Sequence, residues 1–264
     1  MTDWLRLFPA ADHRLQMNLR PGDARRYWAH SPEVTTVLAE RRRWLTEAPE
    51  RHLLVLPEGE AATAEAIAFM LSQIDLRASS PEQASAVLEP DWIVLSGDAA
   101  RSHPVISGAV VFPSSWALNE KIGRPLHEVH APVPGLQSAL GDRISTFLSR
   151  LAPGAAWERD NWGLSADPGL NHHPALLIRR LDASATLETA WLRLEQQFLT
   201  RLPTTGGILF GIRVTNHRLD HLVPIPGLAP RLARALGSMS PEVAAYKGLT
   251  SARAPLVSQI QACG

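Results

Sequence analysis

Apolar positions fall in two rhythms along the chain. A helical rhythm through Ala64, Ile67, Ala68, Leu71 and Ile74 predicts a helix over Ala62 to Leu76. The same spacing predicts helices over Leu136 to Leu151, ending at Pro153-Gly154, and over Leu187 to Leu202, with Ser184 or Thr186 near its start and Pro203 beyond its end. Ser31 followed by Pro32 and Glu33 reads as an N-cap with proline at the first helical position, opening a helix to about Thr46. Shorter helical patterns cover Ala24 to His30, Ala229 to Leu236 and Pro241 to Tyr246. Short apolar runs over His52–Leu56, Trp92–Ser96, Val105–Phe112, Trp157–Leu164, Ala175–Ile178 and Gly206–Val214 predict strands, the second and third joined by the polar turn Gly97 to His103. Strands in sequential pairs with helices between them predict an α+β fold, an antiparallel sheet with helices on one side. No repeat of 20 to 50 residues is visible, which disfavours a solenoid or propeller.

Composition narrows this picture. At 264 residues the chain is long enough for one large core or two small ones, and length alone does not choose; residues 1–264 are read as a single domain with peripheral N-terminal and C-terminal helices. Lys plus Arg and Asp plus Glu both number 26, and zero formal charge argues against nucleic acid as a partner. Arg41-Arg42-Arg43 reads as a solvated face, with a docking patch as the alternative. Cys263 is the sole cysteine, so no disulfide framework and no Fe–S ligand set is available. The start has no basic segment followed by an apolar one, and no window reaches the ~18 apolar residues of a membrane span. A cytoplasmic protein without a membrane partner is expected.

The common nucleotide, zinc-protease and serine-hydrolase motifs are missing, and the chemistry that remains is histidine-rich. His217 and His221, beside Asn216, Arg218 and Asp220, read as a solvated turn. His172 and His173 would point to opposite faces of an extended segment, so at most one reaches a pocket. The stretch Phe112 to Gly135, FPSSWALNEKIGRPLHEVHAPVPG, stands apart. His127 and His130 lie three apart where a helix meets a Pro-Val-Pro exit, with Ile122, Leu126 and Val129 giving an apolar side and Lys121 and Arg124 supplying cations. A haem iron wants one imidazole, and its propionates want cations. On spacing alone the two histidines are not distinguished.

Six boxes in order carry a family resemblance. They are Phe112-Pro-Ser-Ser-Trp116, Lys121-Ile122-Gly123, Val129-His130-Ala131-Pro132-Val133-Pro134, Arg159-Asp160-Asn161-Trp162, Arg193-Leu-Glu195-Gln-Gln197 leading to Arg201-Leu202-Pro203, and Tyr246-Lys247-Gly248. Over roughly Leu19 to Leu249 the chain resembles the α subunit of haem-dependent oxidative N-demethylase, or dimethylamine monooxygenase. The resemblance implies a PAS-like antiparallel sheet of about five strands with surrounding helices and a pocket for haem b. It implies a monooxygenase subunit that demethylates a secondary amine with O2 to a primary amine plus formaldehyde. Electrons would come from NADPH through reductase subunits carrying FMN and a 2Fe–2S centre, with tetrahydrofolate also on a partner. A haem-binding sensor or carrier of a gas or small amine, without turnover, is the alternative.

Carried onto this chain, the resemblance makes His130 the iron ligand, with His127 as the alternative. Lys121, Arg159, Trp162 and Arg193 become cofactor-binding residues, and Arg159 and Asn161 catalytic ones. On the predicted helix Arg193 and Gln197 share a face, while Glu195 diverges by about 200° and is assigned a salt bridge ahead of a catalytic role. The chain departs from its relatives after Arg213, where Thr215 replaces an aromatic residue; that exchange would resize a substrate pocket and leaves dimethylamine itself open.

Overall fold

A computed structural model describes residues 2–263. Its centre is one open, wholly antiparallel sheet of seven strands: β1 (Arg20–Pro21), β2 (Leu53–Val55), β3 (Asp91–Leu95), β4 (Val105–Ala109), β5 (Trp157–Ser165), β6 (Trp191–Arg201) and β7 (Ile208–Arg218). Their order is β1-β5-β6-β7-β3-β4-β2. The expected α+β class holds, with seven strands in place of about five; β2 falls inside the predicted run His52–Leu56, whereas β1 is too brief to carry a clear period and β6 reads as a helix.

Strand alternation sorts the core onto two faces. Trp92 and Val94 of β3 and Phe198 of β6 pack under the helix Glu60–Ser72, while Leu192 meets the helices Leu228–Gly237 and Arg253–Gln261. Ile93, Leu95, Leu199, Ile212 and Val214 point the other way, under the helices Val34–Glu47, Leu126–His130 and Leu136–Arg150. Helices therefore cover both faces, not one, because both sides of the long central strands are apolar enough to need burial.

The main departure from expectation is Leu187–Leu202, predicted as a helix and found as β6. Leu187, Trp191, Leu194 and Phe198 do fall at helical spacing, and Leu, Glu, Gln and Arg are good helix formers. The operative period is two: Leu192, Leu194 and Phe198 are buried on one face and Arg193, Glu195 and Gln197 on the other. Pro203 opens the β6–β7 hairpin, where Leu202 N–H donates to Gly207 O at 2.8 Å and Glu65 accepts from the backbone of Thr204 and Thr205. The predicted strand Ala175–Ile178 is a 3-10 turn, Pro174–Leu176, followed by Leu177 with φ of 48°, a left-handed conformation no strand accommodates.

Arg41 also departs from its predicted solvated face. It is fully buried, donating to Asp91 Oδ1 at 2.6 Å and to Ser85 O at 2.6 Å; Arg42 and Arg43 remain exposed. The Asp91 carboxylate also accepts from the backbone N–H of Val111 (2.8 Å) and Phe112 (2.9 Å). This buried ion pair pins the chain just where it leaves β4 and enters the Phe112–Trp116 box.

Candidate functional site

Because β6 is a strand, Arg193, Glu195 and Gln197 share one face, where a helix would have separated Glu195 from the other two. Antiparallel pairing sets Asn161 of β5 opposite Glu195 and Arg159 opposite Gln197. Five polar side chains thus meet on the sheet face that carries the Leu126–His130 helix. Both Glu195 oxygens accept hydrogen bonds: Oε1 from Ser114 Oγ at 2.5 Å, Oε2 from Asn161 Nδ2 at 3.1 Å and Gln197 Nε2 at 2.8 Å. The expected Glu195 salt bridge is not formed. This buried carboxylate is held by neutral donors beside a cavity of about 520 Å³ that it lines with Ser114, Trp116, Asn161, His172 and Lys247.

Arg193 organises one wall of that cavity. Its Nε donates to Ser114 Oγ at 2.7 Å, and Nη2 donates to the carbonyls of Phe112 (2.8 Å), Pro113 (3.2 Å) and Leu170 (2.7 Å). The guanidinium therefore ties the Phe112–Trp116 box and the loop before His172 to β6, and burial lowers its pKa to about 10. Its donors are engaged by the protein itself, so the sequence-derived place among cofactor contacts becomes a clamp on the loop. His172 and His173 both border the cavity, contrary to the expectation that at most one would. The segment meets its neighbour only through an isolated bridge to Ser114 and does not follow strand alternation.

Arg159 is the opposite case. Its Nε is buried with no hydrogen-bond partner, and burial lowers the guanidinium's pKa while Glu195 and Asp160 act against that at longer range. Asp160 is engaged elsewhere, by Arg6 and Arg20, each at 2.9 Å. His130 ends the Leu126–His130 helix, where the Val133 N–H turns back onto its carbonyl at 2.9 Å. His130 is half-buried and His127 exposed. Burial, then the charges of Arg159 and Lys121, lower the His130 pKa to about 4. The imidazole is thus neutral at ordinary pH, with a lone pair free for a metal. His127 and His130 also border a cavity of about 270 Å³ with His103 and Leu126.

Two assigned residues face elsewhere. Trp162 sits between Asn161 and Gly163 on the reverse face of β5, its ring 4.9 Å from that of Phe8 and packed against the core under the C-terminal helices, while the residue still borders the cavity beside Lys247. Thr215 pairs with Leu194 on that same reverse face and its hydroxyl lies 2.9 Å from His217 Nε2. The exchange at Thr215 therefore does not resize the cavity beside Glu195. Sequence reasoning missed Ser114 as the Glu195 donor and Lys247 as a cavity residue; both stood inside motifs already singled out.

These residues fit a haem in donor chemistry. Among the described residues no group of three or more His, Cys, Asp or Glu side chains forms a metal-ligand set. A single neutral imidazole suits an iron whose in-plane ligands come from a porphyrin. The half-buried guanidinium of Arg159, whose Nε is buried without a partner, suits with Lys121 the carboxylates such a ring carries. Fold and site together define an α+β protein with a polar cavity beside Glu195 and a separate, smaller cavity beside His130. The chain belongs to the family described as haem-dependent oxidative N-demethylase, alpha subunit-like, whose model matches residues 72–257. The matched stretch includes every box from Phe112 to Gly248. Among the described residues no helix is long and apolar enough to cross a membrane.

Proposed function

We propose that this chain is the haem-bearing subunit of a monooxygenase that demethylates a secondary amine of the dimethylamine class, releasing a primary amine and formaldehyde. Electrons come from NADPH through partner subunits that carry FMN and a 2Fe–2S centre. The observation that carries the reading is the pairing of a neutral, half-buried His130 with Arg159, whose Nε is buried without a partner. In this reading His130 holds the iron, and Arg159 and Lys121 hold the propionates. Haem b, when bound, supplies an iron that binds and reduces O2.

The remaining roles belong to this chain's own side chains. A secondary amine is an ammonium ion at neutral pH and needs a negative partner; Glu195, with no cation closed on it, presents one to the cavity. Asn161 donates to Glu195 Oε2 and so positions that carboxylate instead of meeting the substrate itself. Ser114, fixed by Arg193, positions the other oxygen. Ser114, Ser115 and Trp116 of the Phe112–Trp116 box line the cavity wall.

The test is an absorption spectrum of the haem-loaded protein with and without dithionite and dimethylamine, followed by a formaldehyde assay with a surrogate reductase. His130→Ala is expected to lose the haem-bound Soret spectrum while His127→Ala keeps it. A variant at His130 with an unchanged spectrum overturns the ligand. A spectral response to amine with no formaldehyde under any reductant supports the sensor or carrier in place of the enzyme.

A further inference from the structure

The chain contains 24 arginines and only two lysines, Lys121 and Lys247. Both lie at the site: the charge of Lys121 bears on His130, and Lys247 lines the cavity beside Glu195. Holding charge does not require lysine, since arginine does that elsewhere in the chain. An amine differs from a guanidinium in one chemical respect: it can lose its proton in a protein and become a nucleophile.

Lys247 follows the helix Pro241–Tyr246, and Gly248 at φ of 69° reverses the chain behind it. Its Nζ donates to Trp162 O at 2.6 Å and lies 5.5 Å from the centre of the Trp162 ring. Among the described residues no carboxylate closes on it at ion-pair distance. Burial and the neighbouring Arg159 both lower its pKa below the ordinary lysine value, against a smaller pull from Glu195 than burial exerts.

We propose that Lys247 is a carbonyl-capturing amine, whose Nζ condenses reversibly with a small aldehyde in this cavity. The Nζ lone pair forms a bond to the carbonyl carbon, and a proton passes from nitrogen to the carbonyl oxygen to give a carbinolamine. Loss of water then gives the imine, and water reverses both steps. No oxidant or reductant is consumed. Glu195, the carboxylate whose charge Lys247 feels, is the proton acceptor in reach of the cavity. The inference rests on the proposed function only for the source of the aldehyde; in that reading formaldehyde is held until it is passed on instead of diffusing to other amines.

The experiment uses the full chain without haem, so that no turnover contributes. Low formaldehyde with cyanoborohydride converts each imine to a stable N-methyl group, and peptide mass spectrometry compares Lys247, Lys121 and the α-amine. Lys247 is expected to label severalfold faster than Lys121 at neutral pH, since a lowered pKa raises the fraction of free amine. The advantage disappears in denaturant. Lys247→Arg, checked for an unchanged circular-dichroism spectrum, removes that label alone. Lys247 labelling no faster than Lys121 in the native protein overturns the proposal and leaves a structural ammonium. Fast labelling of Lys247 in a protein that never releases formaldehyde from amine sustains the inference and refutes the demethylase reading; the converse pair does the reverse.

Discussion

Arg159→Met is expected to stabilise the protein without haem and to weaken its hold on haem. Methionine keeps much of the apolar stem and removes a guanidinium whose Nε is buried without a partner. A buried polar donor left unsatisfied costs about 1–3 kcal/mol, so its removal should raise the unfolding free energy by a similar amount. A hydrogen bond to a charged partner contributes about 1.5–3 kcal/mol, so losing one propionate contact should weaken haem binding roughly 10- to 150-fold. Urea unfolding of the haem-free protein reads the first quantity, and haem titration followed at the Soret band reads the second. Arg193→Met provides the contrast, since its guanidinium feeds three backbone carbonyls and the Ser114 hydroxyl through bonds of 3.2 Å or less. That variant should lose stability, by at least about 2 kcal/mol, because several buried acceptors lose their donor together. If Arg159→Met destabilises the haem-free protein as Arg193→Met does, or leaves haem affinity unchanged, Arg159 is a structural clamp and the anion site is wrong.

Stability should also fall in mild acid. His130 and His172 are each lowered from 6.5 to about 4, by burial first and then by Arg159 and Lys121 for His130 and by Arg193 for His172. The unfolded chain takes up these protons as pH drops through 6.5 and the folded chain only near 4, so stability is lost between those values, at up to about 1.4 kcal/mol per pH unit for each histidine. Urea midpoints measured from pH 7 to 4 test this, and His172→Asn should flatten the slope; a slope that ignores both histidines refutes the buried neutral rings. Asp91→Ala leaves Arg41 buried and unpaired and should cost about 3–5 kcal/mol, with Arg41→Met recovering part of it in the double variant. Equal additive losses in that cycle would contradict the ion pair. Glu195→Gln removes the charge that holds an alkylammonium and should weaken amine binding roughly 10- to 150-fold, read from the amine-induced Soret shift; unchanged amine affinity would place the substrate elsewhere.

Much of the fold was legible because its elements bury apolar residues at one clear period. Pro241–Tyr246 matches its predicted limits, and Leu136–Arg150 and Trp157–Ser165 lie within a residue of theirs at each end. The family, too, was readable, since six short boxes keep their order and the family match covers residues 72–257. β6 escaped because a strand's polar face is normally wet, whereas here Arg193, Glu195 and Gln197 are polar and buried at once. The alternation of Leu192, Leu194 and Phe198 with Arg193, Glu195 and Gln197 is interrupted by Gln196 and Leu199, while Leu187, Trp191, Leu194 and Phe198 also fit helical spacing among good helix formers. That one misreading hid the site, since it turned Glu195 away from Arg193 and Gln197 and left the carboxylate assigned to a salt bridge.

The sequence could not distinguish Arg159 from Arg193 for a related reason. Both are arginines in family boxes on neighbouring strands facing the same helix, Arg193 buried and Arg159 half-buried. What separates them is whether carbonyls arrive. Phe112, Pro113 and Leu170 reach Arg193 because Asp91 holds the backbone N–H groups of Val111 and Phe112 and so fixes where the loop leaves β4. Nothing comparable reaches Arg159 Nε. Residue type shows that a cation is present, whereas the partners that satisfy it come from segments some 25 to 80 positions away. In the proposed reading the functional charge is the one the fold leaves unanswered, and at this site that charge is Arg159, whose field bears on His130.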